Sequence, residues 1–173
     1  MGGPDNSKLH VHAKPRTWRP AEDSSLDEIS QECRNILLRA GELAHQQGHE
    51  FVGTEPVLVA LLDDPRGRVA EICARLGVAA PALRADVVAV LRPGGPPQPG
   101  HATEPTPPLK QVLTAAGQEA RELGQSDVRA EHLLLAMARQ GAEGNSVAGV
   151  LLARRGVTWD KVRDALADTA RGG

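Results

Sequence analysis

Apolar residues recur at spacings of three and four from Leu26 through Ile29, Cys33, Ile36, Leu37, Ala40 and Ala44. That stripe is the mark of a helix with one buried face. Gly48 follows, a residue able to leave a helix through the left-handed region. Thr54 then offers an N-cap, with Glu55 and Pro56 in the first turn of a second helix predicted to run to Leu62. Val69, Ile72, Cys73 and Leu76 mark a third helix closed by Gly77, and Leu83, Val87, Val90 and Leu91 a fourth. The same succession is predicted again over 109–123, 130–139, 146–155 and 158–169. No alternating stretch is long enough to argue for a strand. The expected fold class is all-α.

The two sets of four helices are copies. A shift of 76 places aligns 37–62 with 113–138, and nine of those 26 pairs are identical, among them Gly48/Gly124, Val52/Val128, Glu55/Glu131 and Leu58/Leu134. Beyond them the offset grows to 79, which matches Gly77-Val78 with Gly156-Val157 and places a three-residue insertion near Glu143–Asn145. A tandem duplication predicts two four-helix repeats packed with pseudo-twofold symmetry. The prolines and mixed charges of 1–24 read as a disordered tail. Residues 92–108 hold seven of the thirteen prolines and read as a linker. The predicted organisation is thus tail 1–24, repeat 25–91, linker 92–108 and repeat 109–173.

Composition narrows the chemistry. In 173 residues, 20 Lys+Arg oppose 22 Asp+Glu, a net charge of −2. That balance argues against nucleic-acid binding by charge, and three aromatic residues (Trp18, Phe51, Trp159) make no stacking platform. No apolar run has the roughly 20 residues of a membrane span, and the first residues lack the apolar core of a signal peptide. A cytoplasmic location, with no membrane partner, is expected. Cys33 and Cys73 form no CxxC and sit on apolar stripes, so buried thiols are expected. Arginine outnumbers lysine 16 to 4, a bias that suggests a GC-rich genome. There is no GxxxxGK[ST] loop and no GxSxG elbow, so neither ATP binding nor catalysis is expected. His45 and His49 have a metal-compatible spacing but no second ligand pair, and neither metal nor cofactor is expected. Leu133, Leu134, Leu135 and Met137 read as core rather than as a peptide groove.

The stretches GHEFVGTEPVLVALL (48–62) and VAEICARLGV (69–78), answered by AEHLLLAM (130–137), NSVAGVLLARRGV (145–157) and WDKVR (159–163), resemble the N-terminal repeat domain of Clp AAA+ unfoldases, especially the ClpC type. The resemblance covers about 28–170. It implies a non-catalytic binding module of Clp-dependent proteolysis, standing alone here, whose partners are Clp ATPase or protease components or their substrates. In ClpC-type domains the Glu matching Glu55 and Glu131 contacts the guanidinium of phosphoarginine, and the phosphate sits at the start of each repeat. Ser30 and Thr106 keep a hydroxyl there, but Glu32 and Pro108 stand where the family has Arg, so a phosphate is expected to bind poorly. Ile29 and Pro105 stand where the family has paired Phe, part of a platform for cyclic-peptide antibiotics that target ClpC in actinobacteria. Losing two aromatic anchors costs on the order of 2–4 kcal/mol, which favours an adaptor or accessory role over a decoy for those ligands. The alternative classes are a small-molecule sensor and a helical hydrolase or metal-dependent enzyme. The ligand-binding candidates are therefore Ile29, Ser30, Glu32, Glu55, Pro105, Thr106 and Glu131.

Overall fold

A computed structural model describes residues 28–96 and 104–171. The expected tail lies outside them. Eight helices follow in order: α1 Gln31–Gln46, α2 Thr54–Leu62, α3 Arg68–Arg75 and α4 Ala80–Val90, then α5 Pro107–Glu122, α6 Ala130–Glu143, α7 Val147–Arg154 and α8 Trp159–Arg171. The all-α, pseudo-twofold architecture expected of the duplication is what the chain adopts.

Two helices form its centre. In α2 every residue except Glu55 is buried, and in α6 everything from Ala130 to Ala138 is. A helix that is apolar on all sides has to be enclosed on all sides. Accordingly α2 packs against α1, α3 and α4 of its own repeat and also against α5, α6 and α7, while α6 packs against α5, α7 and α8 and also against α1, α2 and α3. One continuous core results. Leu133 to Met137 lie wholly inside it, as do Cys33 and Cys73.

Two short parallel pairings lock the repeats together, and they are symmetry mates. Strand β1 (Phe51–Val52) pairs with β2 (Glu104–Pro105), and Ile29 bridges Val128. The 76-residue shift converts Ile29 into Pro105 and Val52 into Val128, so the entry of each repeat pairs with the loop before the second helix of the other. Thr106 N donates to Val52 O at 2.9 Å, Ser30 N to Val128 O at 2.9 Å and Val128 N to Glu28 O at 2.7 Å.

Four local expectations are corrected. Ile29 is not on α1: Ser30 caps that helix, its Oγ accepting from Cys33 N at 3.1 Å, and Ile29 is spent on the bridge. Thr54 is the first helical residue rather than the cap, which falls to Gly53. The linker ends sooner than 108, because Pro107 and Pro108 open α5 behind the Thr106 cap, where a missing N–H costs nothing. Finally, α6 runs to Glu143, past the expected Arg139, so the insertion in the second repeat lengthens a helix rather than a loop.

The second repeat also buries a charge that the first lacks. Glu119, at the position of Leu43, is 1% exposed and accepts from Trp159 Nε1 at 2.8 Å, with Arg139 Nη1 3.3 Å away. Arg139 and Arg163 lie over the Trp159 ring, 5.1 and 4.8 Å from its centroid. A cation over a desolvated indole face is a favourable contact, which accounts for Trp159 as a structural residue.

Candidate functional site

The pseudo-twofold axis generates two related grooves, one at the head of each repeat. A groove of about 430 Å³ at the start of α1 is lined by Glu32, Asn35, Arg39, Asp63, Arg68 and Ala130, among others. Its mate at the start of α5 encloses about 830 Å³ and includes Phe51, Glu55, Val90, Thr106, Pro108 and Val147. The correspondence is positional: Glu32 answers Pro108, Ala130 answers Thr54, and Arg68 answers Val147 across the 79-residue offset.

The copies have diverged in chemistry. In the α1 groove the cations are held by neighbours, Arg39 by Glu42 and Asp63 and Arg68 by Glu71 at 2.8 Å. The α5 groove is apolar and open. Phe51 is 54% exposed, Val147 48% and Val90 40%, three of the five large apolar side chains left exposed among the described residues. Solvated apolar side chains gathered on one concave surface are the usual mark of a binding site.

The sequence-derived candidates are divided between these places. Glu55 and Thr106 meet in the α5 groove, with Pro105 next in the chain and half-buried. Thr106 Oγ1 caps α5, accepting from Leu109 N at 3.4 Å, and Thr54 Oγ1 donates to Glu55 Oε2 at 3.0 Å. That contact fixes the Glu55 carboxylate at the first turn of α2, where the helix dipole favours it. Glu32 lines the smaller groove and Ser30 caps α1 beside it. Glu131 is 7% exposed and Ile29 6%, so Ile29 offers a ligand almost no area. Phe51 and Val147 are site-lining residues that sequence reasoning did not single out. The lone phenylalanine, one place before a buried valine in a short extended stretch, was the available signal.

Burial governs the titrations nearby. Cys33 is pushed up to about 12, by burial first and then by Glu32 and Glu131, so its thiol stays protonated and unreactive at neutral pH. His132 is fully buried, and its Nδ1 accepts from Arg129 N at 3.0 Å at the start of α6. Burial lowers its pKa from 6.5, with Arg129 adding to the effect, against the opposing pull of Glu131, Asp127 and Glu119. The folded state therefore holds a neutral imidazole that the unfolded chain protonates. This stability is present above about pH 6.5 and is lost as pH falls through that value toward the folded pKa. Melting of the wild type between pH 7.5 and 5 is expected to show a larger drop than that of His132→Asn; parallel curves would contradict this.

His45 lies in the last turn of α1 and His49 beyond the left-handed Gly48 (φ +74°), so the two do not share a helical face. Among the described residues no group of three or more His, Cys, Asp or Glu is placed to hold a metal ion, and no helix is long and apolar enough to cross a membrane.

Comparison with known proteins agrees with this geometry. Residues 28–148 match the family described as the Clp repeat (R) N-terminal domain. The chain is 32% identical, over 151 residues, to an ATP-dependent Clp protease ATP-binding subunit ClpA homolog of Guillardia theta, covering 83% of this chain and 18% of that protein. It spans less than a fifth of the length of the curated relatives it matches. Among solved structures, the N-domain of ClpV from Vibrio cholerae superposes with a TM-score of 0.71 at 19% identity, covering 91% of this chain and 93% of that one. A ClpV N-domain in complex with a VipB peptide gives 0.68 at 18% identity, covering 90% and 94%. The chain belongs to the Clp repeat N-terminal domain family.

Proposed function

We propose that this protein is a non-catalytic binding module of Clp-dependent proteolysis that takes peptide or protein ligands in the α5 groove. The observation that carries the reading is the gathering of Phe51, Val90 and Val147, all solvated, around the Glu55 carboxylate. A solved relative bound to a peptide, the ClpV N-domain with VipB, supports it. The role is that of an adaptor or accessory protein. A decoy for ClpC-directed cyclic peptides is disfavoured, because Ile29 is buried and Pro105 is half-buried where the paired aromatic platform would be needed. Phosphoarginine is disfavoured by Glu32 and Pro108 at the two phosphate-facing positions.

The test is selection of linear peptides on the wild-type protein, followed by titration. Selected peptides are expected to bind in the micromolar range and to lose at least tenfold in affinity with Phe51→Ser, as removal of an aromatic anchor does. The melting temperature is expected to change little, since Phe51 is mostly exposed. Undiminished binding by Phe51→Ser would move the site elsewhere.

A further inference from the structure

The α5 groove presents charge as well as apolar surface. Its Glu50 and Glu55 carboxylates enter no ion pair among the described residues, and with Arg92 at the rim and His49 neutral the lining carries an excess of one negative charge. An occupant that satisfies this surface brings an aromatic or large apolar side chain flanked by cations.

The chain carries such a segment. Residues 8–19 read KLHVHAKPRTWR: Lys8, Lys14, Arg16 and Arg19, no acidic residue, and Trp18. Between this segment and the first described residue the character reverses, with Glu22, Asp23 and Asp27. The chain enters the fold at Glu28, whose carbonyl is held by Val128 N. From Lys14 to Glu28 the chain reaches up to about 45 Å when extended, roughly the width of a domain whose radius of gyration is about 16 Å. A tether of that length supplies a local concentration in the millimolar range, so even a weak contact of this kind is populated. The α1 groove lies nearer the point of entry, yet Arg39 and Arg68 in its wall oppose a basic segment.

We propose that segment 14–19 folds back into the α5 groove of its own chain, with Trp18 against Phe51 and Val147 and with Arg16 and Arg19 beside Glu50 and Glu55. The protein thereby occupies its own ligand site, and an incoming peptide competes with that segment. Only this competition rests on the reading of the groove as a ligand site; the seating of the segment does not.

Carbodiimide coupling tests the seating directly, because it condenses a lysine amine with a touching carboxylate, with loss of water, and adds no spacer. In the full chain without ligand, Lys14 or Lys8 is expected to couple to Glu50 or Glu55, with a yield unchanged by tenfold dilution. The yield is expected to fall at least fivefold in Arg16→Ala/Trp18→Ala/Arg19→Ala, which keeps both lysines, and peptides selected on the groove are expected to bind that variant several-fold tighter. Coupling to Glu32 or Asp64 instead, links scattered over the surface, or links found only between copies in a mixture of ¹⁴N- and ¹⁵N-labelled protein would each overturn the proposal. Specific coupling in a protein that binds no selected peptide would uphold the seating and refute the ligand-site reading, so the two failures are separable.

Discussion

Expressed without its partner, the first repeat (residues 28–96) is expected to remain unfolded at 25 °C, and the full chain to unfold in a single transition. A unit of about 65 residues is near the size at which one core is marginal, and this one does not keep its core to itself. Separation strips α5, α6 and α7 from α2, whose residues Val57 to Leu62 are all buried. It also removes both cross-repeat pairings, leaving Ser30 N without Val128 O and Val52 O without Thr106 N. The loss exceeds what a domain with a total stability of 5–15 kcal/mol can absorb in one half. Far-UV circular dichroism of the fragment should show little cooperative melting, and adding residues 97–173 should restore helicity. A fragment that melts cooperatively with undiminished stability, or two separate transitions in the full chain, would show that the repeats are independent domains.

Gly149→Ala is expected to destabilise the protein by about 3 kcal/mol or more, at the upper end of what overpacking costs. At this crossing α6 and α7 touch through backbone alone. A Cβ on Gly149 would stand 2.6 Å from Gly141 N and 2.7 Å from Met137 O, and one on Gly141 would collide with Gly149 O. Backbone on a buried helix cannot turn aside as a flexible side chain does, so the two helices would have to separate. The expected fall in melting temperature is roughly 6–12 °C for a chain of this size. Gly117→Ala supplies the contrast. That glycine lies within α5, and a Cβ there meets nothing nearer than the Arg121 guanidinium at 3.7 Å, so alanine is expected to stabilise by about 1 kcal/mol through helix propensity alone. Equal effects from the two substitutions would rule out the close crossing.

The division between sequence and tertiary structure follows from these cases. The helices were legible because each has a core-facing stripe and a terminating signal within its own few turns. The apolar runs of α2 and α6 announced enclosed helices, and the nine identities across 76 residues implied the twofold arrangement before any coordinate. Cys33 and Cys73 belonged to the core on the same grounds. Where a local signal had two readings, the neighbours chose. Ile29 continues the α1 stripe in sequence, but it pairs with Val128 a hundred residues away. Thr54 has the chemistry of a cap, yet its hydroxyl serves Glu55. Leu43 and Glu119 are equivalent by repeat, and only Trp159 and Arg139, brought in by α8 and α6, make a buried carboxylate tolerable at the second position.

The candidate site divides the same way. Glu55 and Thr106 stood out from the sequence because repetition and capping chemistry mark them. That they share one groove, while Glu131 is buried, was decided by the exchange of entry strands between the repeats. Phe51, Val90 and Val147 carry no motif, and their exposure is a property of the assembled surface. Periodicity reports which side of an element faces inward; it has no term for what two distant elements leave uncovered between them. The sequence by itself determined eight helices, their duplication and their core, because those rest on contacts within a few turns. Only the tertiary structure determined which of two equivalent grooves stayed open, because that depends on side chains separated by up to about a hundred positions.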